Sequence, residues 1–406
     1  MQIKEDAPGP PSKLVESPKR LTPYLLGSLY YSLYWGVVGI FEPFLNLYFQ
    51  RLGISGFQIG VINSLLPLMA LIFSPFVSAL GDRKAWRSRI LVICCLGLSV
   101  TYFLLGFPKY FEGIFLISIF IALLRSPAGP VGDALVLRLG TRHNIDYGRM
   151  RLWGSFFFAS VSILAGFVWE RINFQWMFPA TGLGYLVVTL IAYRMEEGDP
   201  VVKQTSFPWK LFLENKTLLA LYIAALMMGA STNIFLFSSL YMSHLGGGEL
   251  LIGLLLGATA MCEVPVMLLG GGLMRRFGGM RTLMIGFGLF ALSYLSGIFA
   301  WAPWVLLITG ILNGAGFGLA FISIVVTFDE RAPDNWSASV QSLVNAGMFG
   351  LAPFLSAFGY GAIYDVWPKG VYAFSAVLIG LAIVALLAAI RLDRRGIGAQ
   401  PPGPLP

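Results

Sequence analysis

The chain has 406 residues, of which 57% are hydrophobic and only 12% are charged, and its mean hydropathy is +0.75. Ordinary soluble domains carry about 25% charged residues, so these values exclude a protein built around a single soluble core. The formal net charge of +8 would favour a nucleic-acid partner in a soluble protein. In a membrane protein the positions of these charges report orientation instead, and we expect no nucleic-acid partner.

Twelve apolar stretches follow one another along the chain, and each is long enough to cross a lipid bilayer as a helix. They lie at 23–49, 57–80, 89–107, 114–138, 150–169, 174–193, 217–242, 250–274, 281–300, 303–327, 339–363 and 370–391. The segments between them are too short for a separate soluble domain. The sequence therefore predicts an all-α membrane protein with twelve transmembrane helices, numbered here as spans one to twelve.

Basic residues are distributed unequally between the two sides of the membrane. With the N-terminus inside, the cytoplasmic segments hold 23 Lys and Arg residues and the outer loops hold four. The positive-inside rule then predicts a multi-pass protein of the cell (inner) membrane with both termini in the cytoplasm. The Pro-rich and charged ends, 1–20 and 392–406, contain no apolar run and are predicted to be disordered cytoplasmic tails.

Span one carries an acid, Glu42, in its outer third and a group of aromatic residues nearer its start. A charge in the bilayer costs at least about 2.5 to 3.5 kcal/mol, so Glu42 is a candidate for proton coupling. The alternative is an acid that only holds two helices together. The aromatic residues Tyr30, Tyr31, Tyr34 and Trp35 are suited either to stacking on a substrate ring or to helix packing.

The loop after span two contains an acid and several basic residues. Asp82 can accept hydrogen bonds from the free N–H groups at the start of a neighbouring helix, while Arg83 and Arg87 can pair with nearby acids. We expect these three residues to form part of an inner gate. For the two arginines, the alternative is a purely topological charge.

Spans four and five hold three more charged candidates. Arg125 lies near the midplane, Asp133 lies in the inner third of span four, and Arg151 lies at the inner start of span five. Pro127 and Pro130 remove backbone donors and predict a break or kink after Arg125, where the backbone would line a cavity. We expect the three charged side chains to contact substrate, although an ion pair between helices or a membrane-side anchor would also explain them.

The outer end of span one recurs 193 residues later in the chain. The dipeptides Leu47-Tyr48, Leu52-Gly53 and Ile59-Gly60 recur as Leu240-Tyr241, Leu245-Gly246 and Ile252-Gly253. An even number of spans separates the copies, so the halves are parallel repeats related by an axis along the membrane normal. The predicted halves are 21–194 and 217–391, joined by a cytoplasmic linker at 195–216.

Span eight contains Glu263 near the midplane. A carboxylic acid at this depth can take up and release a proton, and we expect it to couple transport to protons. Arg125, at a similar depth, is its expected cationic partner.

Loop motifs and span motifs together carry a family resemblance. The run Ser78–Arg87 and its second copy Gly271–Gly279 resemble the loop motif of the major facilitator superfamily. Within that superfamily, Ser126–Leu135, Asp146–Ser155 and Cys262–Val264 resemble the phenylpropionate permease branch, and Tyr147-Gly148-Arg149 with Arg151 is similar to the lactose permease.

The resemblance implies two six-helix halves that transport by alternating access. In the sugar symporters of this group, an acid on span four and an arginine on span five bind substrate, and Asp133 and Arg151 match them. Spans seven and ten line the cavity in this fold, which makes Asn233 and Asn313 candidate substrate contacts rather than helix glue.

Span ten departs from those sugar symporters. They carry a cluster of His, Lys and Glu there, whereas 303–327 contains no titratable residue in this chain. If protons are coupled, the acids elsewhere, Glu263 and Glu42, must carry them.

Other classes of function find little support in the sequence. No loop matches the GxxxxGK phosphate motif, and no catalytic or metal-ligating constellation is present, so we expect neither an enzyme nor a cofactor. We expect a monomeric secondary transporter that moves an aromatic acid or a sugar-like solute by proton symport. The alternative is a proton-driven exporter of drugs or metabolites.

Overall fold

The computed structural model describes residues 22–195, 213–332 and 336–395. The predicted tail at 1–20 lies outside the described residues, as do most of the linker at 195–216 and the end of the tail at 392–406. The beginning of that last tail is helical instead, because the final helix continues to Arg394.

The described chain is a bundle of long helices without strands. Within the described residues, eleven helices are long and apolar enough to cross a membrane, and one bent pair of helices is long and apolar enough for a twelfth crossing. In the first half the helices are Pro23–Phe41 with Leu45–Arg51, Gly56–Ile72 with Ser74–Lys84, Arg87–Leu105, Phe111–His143, Tyr147–Trp169 and Met177–Tyr193. In the second half they are Lys216–Ser231 with Ile234–His244, Glu249–Phe277, Gly279–Ile298, Val305–Asp329, Ser337–Ala346 with Ala352–Val366, and Gly370–Arg394. The predicted fold class is confirmed.

Side chains at the helix starts explain several of the observed boundaries. Ser55 and Gln58 form a capping box at the start of span two, so the first free N–H groups are satisfied locally. Asp146 accepts from the Gly148 amide at 2.8 Å and starts span five.

Four spans are interrupted along their described length. Span one breaks at Glu42–Phe44, span two bends by 40° at Phe73, span seven breaks at Thr232 and Asn233, and span eleven contains a π-helical turn at Gly347–Leu351. Breaks of this kind are tolerated in a membrane only where neighbouring helices or a cavity satisfy the backbone.

Span four, in contrast, is one unbroken helix through Pro127 and Pro130, so the predicted break at this position is wrong. Pro127 has no N–H for the carbonyl of Leu123. The Ser126 hydroxyl donates to that carbonyl instead, at 3.4 Å, and so satisfies the group that the proline leaves free.

The sequence repeat has a structural counterpart in two turns. Gly53 follows span one with φ of 82° and Gly246 follows span seven with φ of 85°. Both lie in the left-handed region, which glycine adopts without steric cost. The repeated Leu-Gly dipeptides therefore encode the same turn at the same end of each half.

The repeated Ile-Gly dipeptides encode close packing between the halves. A Cβ atom at Gly60 of span two would collide with the Ala357 carbonyl of span eleven, and one at Gly253 of span eight would collide with the Ser162 carbonyl of span five. Small residues allow helices in a membrane to approach this closely. Two such crossings, two–eleven and five–eight, join the halves.

Candidate functional site

The first polar cluster joins spans one, four and five in the N-terminal half. The Tyr31 hydroxyl lies 2.5 Å from the Asp133 carboxylate and 2.9 Å from the Tyr147 hydroxyl. Tyr31 is buried, whereas Asp133 remains exposed. The tyrosine therefore orients a carboxylate that is still able to accept further hydrogen bonds.

Arg151 covers the aromatic side of this cluster. Its guanidinium lies 4.8 Å from the centre of the Trp35 ring and 5.3 Å from that of Tyr31, within cation–π range. Gly154 makes this possible, because a Cβ there would lie 2.7 Å from the Trp35 ring and 3.0 Å from the guanidinium. The aromatic residues of span one thus pack and at the same time hold a cation.

Glu263 of the C-terminal half belongs to the same region as Arg151. It is half-buried on span eight and lies close enough to Arg151 of span five for an electrostatic interaction. Asp133, Arg151 and Glu263 therefore belong to one region between the halves, which we call the central site.

Arg125 belongs to a second region. Its guanidinium pairs with the Glu42 carboxylate at 2.7 Å and lies 5.3 Å from the centre of the Phe41 ring. The predicted pairing of Arg125 with Glu263 is therefore wrong in this structure. The break in span one begins at Glu42, and the carboxylate at this point pairs with span four of its own half.

Arg125 lies apart from the central site along span four. Tyr34 is buried and interacts electrostatically with both Arg125 and Asp133, which places an aromatic side chain near both. Eight residues of span four separate the two charges, or about 12 Å along the helix.

The two asparagine candidates lie inside the C-terminal half. Asn233 is buried, and its amide donates to the Pro353 carbonyl at 2.7 Å and to Ser356 at 2.9 Å, so it joins spans seven and eleven. Asn313 lines a cavity of about 20 Å³, which has room for water only. Asn233 thus joins helices, which is the alternative that the sequence left open, while Asn313 stays a candidate.

Polar contacts close the outer end of the bundle, the end opposite the loop that carries Asp82. Three side-chain contacts cross between the halves there. They are Asn46 to the Leu236 carbonyl at 2.8 Å, Gln50 to the Tyr364 hydroxyl at 2.7 Å, and Arg51 to Glu249 at 2.6 Å.

Asp365 makes a fourth contact across the outer end. Its carboxylate accepts from the backbone amides of Gly56 and Phe57 at 2.6 and 2.9 Å. These amides are among the free N–H groups at the start of span two, where a negative charge is favourable. Asp365, at the end of span eleven, thus caps a helix of the other half.

At the inner end, the gate residues predicted from sequence stay within their own half. Asp82 pairs with Arg87, whose side chain is buried, and Arg83 is exposed. The pair joins the end of span two to the start of span three, while Arg331 and Asp393 join two spans of the second half. The closed outer end and the exposed Asp133 indicate a conformation open to the inner side.

The sequence contained signals for two residues that were not selected. Tyr147 lies inside the motif that resembles the sugar symporters. Asp365 is an acid next to a span end, like Asp82, and the positive-inside rule does not explain an acid there because it concerns basic residues.

With this geometry established, comparison with known proteins defines the class. Residues 24–376 match the MFS_1 like family, and the chain therefore belongs to this family of major facilitator transporters. It is a multi-pass membrane protein that transports a small molecule, not an enzyme. The resemblance predicted from the motifs is confirmed.

The chain is similar to transporters that are named for different substrates. The chain is 27% identical over 372 residues to maltose permease of Geobacillus stearothermophilus, which covers 89% of this chain and 93% of that protein. It is 26% identical over 300 residues to the probable 3-phenylpropionic acid transporter of Escherichia coli (strain K12), covering 69% and 76%. The crystal structure of nucleoside transporter NupG has a TM-score of 0.76 at 17% identity, covers 92% of this chain and 100% of that one, and shows the fold alone.

Proposed function

We propose that this protein is a secondary active transporter that moves a sugar-like solute together with a proton by alternating access. The observation that carries the proposal is the central site itself. A carboxylate, a guanidinium and an aromatic ring lie together in the first half, and an acid of the other half lies close enough to the guanidinium for an electrostatic interaction. The similarity to a maltose permease supports the same substrate class.

A sugar carries the hydrogen-bonding groups that the side chains of the central site can bind. Its hydroxyl groups both donate and accept, so they can donate to Asp133 and accept from Arg151. The apolar face of a sugar ring can pack on Trp35, which already lies beside the guanidinium. Tyr31 holds Asp133 in place, so the carboxylate is oriented before a ligand arrives.

Proton coupling would depend on Glu263. Without a solute, Arg151 interacts with Glu263 across the interface and offsets its negative charge. A solute that engages Arg151 weakens this interaction and, as the halves close, displaces water. A desolvated carboxyl group without a cationic partner is stable only when protonated, so binding of solute and proton would accompany each other.

An aromatic acid is the second candidate. Arg151 could pair with its carboxylate, and Trp35 and Tyr31 could stack on its ring. The similarity to a probable 3-phenylpropionic acid transporter favours this alternative.

Ligand-induced thermal stabilisation of the purified protein separates the two candidates, because a ligand that binds the folded state raises its melting temperature. If the transported solute is a sugar, Asp133→Asn should abolish the thermal stabilisation by maltose. For an aromatic acid, the same variant should preserve or increase the stabilisation by 3-phenylpropionate, because it removes a negative charge near the ligand. The exposed acid Asp146 provides the control, since Asp146→Asn keeps a good helix cap and should change neither result.

The orientation of the protein remains part of this proposal. The 23 to four distribution of basic residues supports cytoplasmic termini in a cell membrane. Asp133 and Arg151 would then face the cytoplasm in the conformation described here. We propose that a single chain forms the complete transport unit.

A further inference from the structure

A second cavity lies beside the Glu42–Arg125 pair, apart from the central site. It measures about 130 Å³ and is enclosed by spans one to four of the first half and span seven of the second. Its polar lining consists of Glu42, Asn46, Asn63, Tyr102, Ser118 and Arg125, and the remaining walls are aliphatic.

One polar group in this cavity has no partner. The Asn63 side-chain nitrogen is buried and makes no hydrogen bond to any of the described residues. A buried donor without an acceptor costs about 1 to 3 kcal/mol, so such groups usually have a water or ligand beside them. The cavity provides the space for one.

The size and charge of the cavity define what it can hold. A cavity needs about 10 to 15 Å³ of this volume to hold one water molecule, so about 130 Å³ has room for roughly ten non-hydrogen atoms, close to the size of a single sugar residue. Glu42 already neutralises Arg125 at 2.7 Å, so an anionic ligand would leave a net negative charge in a mostly buried place. A neutral ligand with hydroxyl groups can instead donate to Glu42 and accept from Arg125 and Asn63.

We propose that this cavity is an outer subsite that binds one neutral, hydroxyl-bearing six-membered ring, such as a single sugar residue. The inference rests on the proposed function in one respect, namely that the transported solute is sugar-like. It adds a binding place about 12 Å from Asp133 along span four.

The outer gate forms one wall of the subsite. Leu236 of span seven lines the cavity, and its carbonyl accepts from Asn46 of span one across the halves. Opening of the outer end would break this contact and connect the cavity to the outer side. The subsite would therefore exchange ligand with the outside, whereas the central site is open to the inner side in the present conformation.

Protection of single cysteines against N-ethylmaleimide tests the proposal on the full chain. The three native cysteines are replaced by alanine, and a reporter is placed in each site. Ser118→Cys is nearly isosteric and reports on the cavity. Gly129→Cys lies one helical turn before Asp133, where an added Cβ meets nothing within 4 Å, and reports on the central site. Maltose and methyl glucoside are the probes.

A sugar at roughly ten times its Kd should slow alkylation of both reporters about tenfold, by mass action. Asn63→Leu should remove the protection of the cysteine at 118 and leave that of the cysteine at 129 unchanged. Asp133→Asn should remove the protection at 129 and leave that at 118 unchanged.

Absence of protection at 118 beside clear protection at 129 overturns the subsite and leaves the proposed function intact. Loss of protection at 118 in Asp133→Asn also overturns it, because the reporter would then follow the conformation rather than a ligand. Protection at 118 alone supports the subsite and contradicts the central sugar site.

Discussion

Replacing Asp365 by alanine should shift the transporter towards its outward-open conformation. The carboxylate caps span two of the other half through two backbone amides, and this contact can exist only while the outer end is closed. Removing a helix cap typically costs about 0.5 to 2 kcal/mol, and Asp365 is exposed, so we expect about 1 kcal/mol. The ratio of open to closed molecules should therefore rise roughly fivefold.

Distances between spin labels at the outer end measure this ratio. Tyr110 and Trp301 are exposed and lie at the outer ends of the first and second half, so cysteines at these positions can carry the labels. Glu112→Ala is the matched control, because Glu112 is an exposed acid in the first turn of span four at the same end of the bundle, and none of the described contacts across the halves involves it. The control should therefore leave the distances unchanged. An unchanged distance distribution in Asp365→Ala would refute the capping role.

Three further predictions concern stability, packing and orientation. Arg125→Gln should lower the thermal unfolding temperature, because breaking a mostly buried pair leaves one charge without its partner at a cost of up to about 3 kcal/mol, and adding Glu42→Gln should recover most of the loss in the same assay. Gly253→Leu should abolish uptake by blocking the crossing of spans five and eight, whereas Gly288→Leu, where a Cβ meets nothing within 4 Å, should not. Lys84→Cys should resist an impermeant maleimide in sealed cells, and rapid labelling from outside would reverse the predicted orientation.

The sequence predicted the course of the chain well, because hydrophobic length and charge bias are local properties. The repeated Leu-Gly and Ile-Gly dipeptides also proved informative, since each encodes a turn or a close crossing that only glycine permits at Gly53 and Gly60. These features depend on backbone shape, which a short motif determines.

The partners of the buried charges could not be predicted in the same way. Residue spacing gives the depth of Arg125 in its span, but these helices are apolar on every side, so periodicity does not show which way a residue faces. Depth alone led to Glu263 as the expected partner, and only the packing of spans one and four shows that Arg125 pairs with Glu42 instead. The unbroken span four has a similar explanation, because the Ser126 hydroxyl compensates for Pro127.

Uptake of labelled maltose into proteoliposomes with an imposed inward proton gradient tests the central claim most directly. Glu263→Gln should abolish accumulation above the external concentration while counterflow continues, because a neutral amide mimics the protonated acid. Asp133→Asn should reduce both, since the amide cannot replace a carboxylate that accepts two hydrogen bonds. The exposed Glu112, at the start of span four, supplies the control as Glu112→Gln, which should behave like wild type. If Glu263→Gln concentrates maltose as well as wild type does, coupling through Glu263 is contradicted, and Glu42 or an export mechanism becomes the better explanation.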